Sequence, residues 1–153
     1  MKRKFVIGPT LAALLFVGML LAPVAAFSQN GDRLPSPLQE KEYQGVPYIS
    51  GGVGEGERGA LRQLQTKYNL KVEYSVRQGN YLALVDTVIK NAQGKTVLDA
   101  TAQGPWLYAK LPAGKYTIKA TTLRGKTQEL QVEIPQQGLR EITFTWKRAH
   151  VHE

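Results

Sequence analysis

The chain has 153 residues, 42% of them hydrophobic and 21% charged, which is room for one domain rather than two. Twenty Lys and Arg against twelve Asp and Glu give a net charge of +8. There is no cysteine, and the two histidines, His150 and His152, fall in the last four residues; this excludes disulfides, a thiol nucleophile, a cysteine-borne lipid anchor, a cysteine-ligated zinc site and a catalytic histidine in the body of the fold.

Lys2-Arg3-Lys4 precede an apolar stretch, strongest from Leu11 to Leu21, and the small residues Val24-Ala25-Ala26 follow it. A charged head, an apolar middle and a small-residue end are the layout of a secretory signal peptide, here residues 1–26 with cleavage after Ala26. The apolar core is about a dozen residues long, short of the ~20 that a bilayer span needs. An uncleaved N-terminal membrane anchor is the alternative, since Phe5 to Ile7 extend the run. The expected address is the periplasm, with full secretion as the other possibility, and no stable membrane span is expected after cleavage. Without this segment, seventeen basic residues against twelve acidic ones leave +5.

Residues 27–45 are rich in Pro, Gly, Ser, Gln and charge. They have too little apolar surface to offset the entropy of ordering, which predicts a flexible leader. Residues 46–69 then hold a short extended piece at Val46 to Ser50, the glycine cluster Gly51, Gly52, Gly54 and Gly56, and a helix. The helix is predicted from Glu55 to Tyr68, with Leu61, Leu64 and Tyr68 on one face. Glu55 and Glu57 suit its first turn, Lys67 its last, and Asn69 its stop.

After Asn69 the period changes from 3.6 to 2. Leu70, Val72, Tyr74 and Val76 alternate with polar residues, and Arg77 to Asn80 turn the chain. A long strand is predicted from Tyr81 to Lys90, and further strands at 96–102, 106–111, 115–123, 129–134 and 141–146, with Gly- and Pro-containing turns between them. About seven strands at this spacing, with no long helix among them, predict a mainly β domain at residues 70–148. Its expected form is an antiparallel β-sandwich preceded by one short α-helix, with 149–153 as a tail.

Within this region, VDTVIKNAQGKTVLDA, GPWLYAKLPAGKYTIKAT and GKTQELQVEI…LREITFTW resemble a carboxypeptidase regulatory-like domain of the transthyretin-like (prealbumin-like) group. Leu111-Pro112-Ala113-Gly114-Lys115-Tyr116 is the most specific part. The resemblance covers residues 85–146 and implies a prealbumin-like sandwich whose glycine makes the hairpin turn and whose tyrosine enters the core. With Ser50 to Gly54 and Glu57-Arg58 ahead of it, the chain also resembles small exported proteobacterial proteins of unassigned function. The family implies a non-enzymatic module that packs against or displays something else, and it supplies no catalytic residues.

Several constellations are candidates for chemistry. Gly54-Glu55-Gly56-Glu57-Arg58-Gly59 matches G-x-G-x-x-G, with Glu73 nineteen residues after Gly54. Two carboxylates at the helix start would repel a pyrophosphate, and no βαβ unit follows. A structural turn is the favoured reading, and no cofactor is expected. A small anion at the amides of Gly51, Gly52 and Gly54 remains a candidate. His150 and His152 offer two imidazoles on a chain end, which falls short of a closed metal site, so no metal is expected.

From Arg77 to Arg148 there are eleven basic and five acidic residues, whereas 27–76 sums to zero. Lys110, Lys115 and Lys119, with Lys147 and Arg148, form a candidate basic face for anionic lipid headgroups, acidic glycans or an acidic protein. Lysines that guard sheet edges are the structural alternative. Trp106, after Gly104-Pro105, is the aromatic most expected to be partly exposed, and with Tyr108 it is a candidate sugar-stacking surface, although core packing is the favoured reading of the sandwich aromatics. No nucleic-acid motif is present. Asp86 and Asp99 are the only carboxylates offered for hydrolysis, and nothing singles them out. The expected function is an exported, non-enzymatic accessory module acting on a protein or envelope component. The alternatives are a small carbohydrate- or anion-binding domain and, less favoured, a hydrolase.

Overall fold

A computed structural model describes residues 38–147. The expected signal peptide, most of the expected leader, and the tail with His150 and His152 lie outside the described residues.

The domain is mainly β, as the alternation predicts. Its strands are β1 (Glu40–Tyr43), β2 (Val46–Gly51), β3 (Leu70–Val76), β4 (Val85–Asn91), β5 (Thr96–Ala102), β6 (Trp106–Ala109), β7 (Gly114–Thr121), β8 (Thr127–Ile134) and β9 (Arg140–Trp146). One helix, α1 (Gly54–Leu64), runs into a 3-10 turn at Gln65–Lys67. The strands form two sheets, in the orders β1-β2-β6-β3-β9 and β5-β4-β7-β8. Among the described residues no helix is long and apolar enough to cross a membrane.

Four expectations need correction. The leader does not extend to residue 45: Leu38 is buried, and β1 pairs antiparallel with β2. Backbone pairing at a sheet edge holds β1 although three of its four residues are charged. The sandwich therefore includes β1 and β2 and does not begin at residue 70. The strand expected from Tyr81 begins only at Val85, because Leu84 takes a φ of 55° and interrupts the extended run. Pairing is not wholly antiparallel either, since β3 and β9 run parallel from Leu70↔Arg140 to Val76↔Trp146.

The pleat decides what each strand buries. Leu70, Val72 and Tyr74 of β3, Val85, Thr87 and Ile89 of β4, and Tyr116, Ile118 and Ala120 of β7 point between the sheets. Tyr74 stacks on Phe144, which stacks on Trp146. The buried Tyr74 hydroxyl lies 2.7 Å from Thr87 Oγ1, a hydrogen bond that ties the two sheets within the core. Burial drives the Tyr74 hydroxyl well above the usual phenol range.

A second apolar cluster lies on the outer face of the first sheet. On β6, Leu107 and Ala109 enter the sandwich core while Trp106 and Tyr108 face outward. Leu61 and Leu64 of α1 pack with them, together with Ile49 and Leu38. That answers how the helix docks: its apolar face covers aromatics that would otherwise be solvated. Asn69 does more than end the helix. Its side chain donates to the Leu111 carbonyl at 2.6 Å and accepts the Leu111 amide at 2.9 Å, wholly buried.

Candidate functional site

The glycine turn between β2 and α1 is already occupied by the chain itself. Glu57 Oε2 accepts the amides of Gly52 and Val53, each at 2.9 Å. Arg58 donates to the Gly52 carbonyl at 2.9 Å and pairs with Glu55. The candidate anion turn at Gly51, Gly52 and Gly54 is thus corrected to a turn that carries its own carboxylate. Each glycine has a local reason. A Cβ on Gly51 would run into Leu38, and Gly52 sits at a φ of +96° with its Cα side against Trp106.

Trp106 is not the exposed aromatic that its bend suggested. It is 5% exposed, its indole N–H donates to Glu73 Oε2 at 2.9 Å, and Lys71 Nζ and Arg62 Cζ lie 4.5 and 5.6 Å from its ring centroid. Tyr108, beside it, is fully buried, and its hydroxyl has no hydrogen-bond partner. Burial first, then the Glu141 charge, push that hydroxyl up to about 12. No sugar ring can reach either face.

The candidate lysines do not all share one basic face. Lys115 and Lys119 stand on the outer face of the second sheet, but register sets them opposite Glu133 and Glu129. With Lys90, Asp86 and Asp99, that face carries three cations against four carboxylates. Lys110 follows β6 on the other sheet; with Lys95 and Lys115 it lines a recess of about 500 Å³ that Lys119 does not reach. Asp86 and Asp99 share the outer face but sit diagonally, Asp86 opposite Thr101 and Asp99 opposite Val88. Such diagonals hold Cβ atoms about 7–8 Å apart. Both side chains are exposed on an open sheet surface, and Thr101 donates to Asp86 at 2.6 Å.

Several recesses of about 480–610 Å³ open on the described surface, and one of them lies at the loop end of the sandwich. A recess of about 480 Å³ opens between the segment that links β3 to β4, the β7–β8 turn and the end of β9. Val76, Leu82, Val85 and Trp146 supply apolar walls, and Arg124, Lys126 and Lys147 supply cations. No carboxylate is among the residues that line it. Trp146 is 5% exposed, yet its Nε1 makes no hydrogen bond. The stack of Trp146 on Phe144 and of Phe144 on Tyr74 anchors this wall to the inter-sheet core. The volume lies within the range of small-molecule sites.

Of the candidate residues, Trp106 and Tyr108 lie under α1, Lys119 stands on the outer face of the second sheet, and Lys110 and Lys115 line the recess of about 500 Å³; none of these five lines the loop-end recess, although Lys147 does. The sequence did hold a signal for it. Residues 77–84 and 122–126 carry Arg77, Arg124 and Lys126 beside Leu84 and Leu123 and contain no acidic residue. Reading 77–80 and 124–126 as plain turns, and 81–84 and 122–123 as strand, hid it. No protein-family model matches the chain, and a comparison with curated proteins finds no match.

Proposed function

We propose that the chain is an exported, non-enzymatic β-sandwich module that binds a component of the cell envelope through the loop end of the sandwich. The observation that carries this reading is the recess itself, with its apolar walls, its three cations and the exposed Leu123 at its rim. The signal-peptide pattern of residues 1–26 supports export. The resemblance of residues 85–146 to carboxypeptidase regulatory-like domains supports a module that acts by contact.

Cosedimentation with isolated cell envelopes tests the reading. The purified protein is expected to pellet with envelopes and to be released by salt. A Leu123→Ser/Arg124→Ser variant, shown by circular dichroism to be folded, is expected to stay in solution. If parent and variant pellet equally, the loop end is the wrong surface. If the parent does not pellet at all, envelope binding is refuted.

A further inference from the structure

We infer that the ligand of the loop end is an anionic amphiphile, a molecule that joins a phosphate or carboxylate head to an acyl-like tail, as an acidic lipid does. The inference rests on the preceding reading of the recess and names its ligand class.

Charge selects an anion. Arg77, Arg124, Lys126 and Lys147 lie in the three segments at this end, 77–84, 122–126 and 146–147, which contain no Asp or Glu. None of the ion pairs among the described residues uses any of the four. The first acidic residue after Leu84 is Asp86, which already accepts a hydrogen bond from Thr101 on the outer sheet face.

Apolar exposure selects a tail. Five large apolar side chains are exposed among the described residues, and three of them stand here: Leu123 at 75%, Tyr81 at 49% and Leu84 at 40%. Leu123 occupies the β7–β8 turn, a place where polar and small residues are the ordinary choice. Leu84 is held at positive φ, which a bulky residue adopts only when its surroundings enforce it.

An acidic peptide offers the charge without a tail for Leu123 and Leu84, and free phosphate offers only the head. Apolar tips ringed by cations match a surface of anionic headgroups over hydrocarbon.

The test uses the purified protein with vesicles of phosphatidylglycerol mixed into phosphatidylcholine, vesicles of phosphatidylcholine alone, monomeric decyl phosphate, inorganic phosphate and a glutamate-rich peptide. Tryptophan emission and vesicle sedimentation are the readouts. The mixed vesicles and decyl phosphate are expected to bind and to change the emission, and the other three to do neither. Arg124→Ser/Lys126→Ser is expected to bind the mixed vesicles about thirtyfold more weakly, and Leu123→Ser about tenfold more weakly. Lys115→Ser/Lys119→Ser, on the other surface, is expected to bind like the parent. All forms carry the same N-terminal segment, so their ratios report the loop end alone.

Equal binding to both vesicle types overturns the inference. So does parent-like binding by the loop variants, or a peptide or inorganic phosphate bound as tightly as decyl phosphate. If every anionic amphiphile is silent while envelopes still pellet the protein, the ligand class is wrong and the envelope-binding reading stands. If both are silent, both fall.

Discussion

Replacing Glu57 by Ala removes the anion that the chain carries in its own glycine turn. The carboxylate accepts two backbone amides at 2.9 Å, one from the part-buried Gly52 and one from the exposed Val53. A hydrogen bond to a charged group contributes about 1.5–3 kcal/mol when shielded, and water replaces most of that at Val53. A negative charge at a helix N-terminus adds about 0.3–1 kcal/mol. Together these set the loss at about 2 kcal/mol. For the 110 described residues, an unfolding entropy of about 2.1 cal/mol/K per residue converts this to a fall in Tm of roughly 8–9 °C. Calorimetry in chloride buffer reads it. With the side chain gone, both amides open to solvent anions. Sulfate is therefore expected to return part of the lost stability to Glu57→Ala and little to the parent. Glu57→Gln, an acceptor without charge, is expected to fall between. If Glu57→Ala melts with the parent, or if sulfate raises both equally, the turn is not a self-filled anion site.

Other substitutions separate glycines that the fold requires from those it tolerates. Gly104→Ala would press a methyl into the Gly51 carbonyl, backbone that cannot swing aside, at a cost of about 3 kcal/mol or more; circular dichroism at 37 °C is expected to show a largely unfolded protein. Gly59→Ala on α1 meets nothing within 4 Å and is expected to gain about 0.5–1 kcal/mol, read as a higher Tm. Asn69→Ala leaves the buried Leu111 amide and carbonyl without partners, and a urea midpoint is expected to report a loss of about 2–4 kcal/mol. Alkali tests the buried phenols. Tyr68, Tyr74, Tyr108 and Tyr116 are all raised above the ordinary phenol range, Tyr108 to about 12. The unfolded chain sheds these protons from about pH 10 while the folded one keeps them, so stability falls as pH rises from there. Phenolate absorbance is expected to show the four ionising only as the protein unfolds, and non-cooperative titration of all seven tyrosines would count against their burial.

How much of this was written in the chain depends on which forces a linear reading can see. Alternation from Leu70 onward announced the sandwich because each strand has one face in the core and one outside. The helix was legible from Leu61 and Leu64, although the aromatics it covers were not. Glu40-Lys41-Glu42 looked like solvated leader because β1 is held by its backbone pairing with β2, which side-chain polarity does not record. The lysine count suggested a basic face because charge was summed along the chain. The register of β7 against β8 then put Glu133 and Glu129 opposite Lys115 and Lys119. Glu57 was read as an obstacle to a phosphate when it is the anion itself. The recess escaped notice because its walls come from residues about 70 positions apart in the chain, such as Val76 and Trp146, which parallel pairing of β3 with β9 sets side by side.

That parallel pair also governs when the molecule can finish assembling. A ribosome delivers β9 last, and until residue 146 has emerged the β3 edge stands bare and Tyr74 has no Phe144 to lie against. Closure spans residues 70 to 146, so loop-closure entropy is met before the contacts repay it. Pairing of β3 with β9 is therefore expected among the last long-range contacts to form.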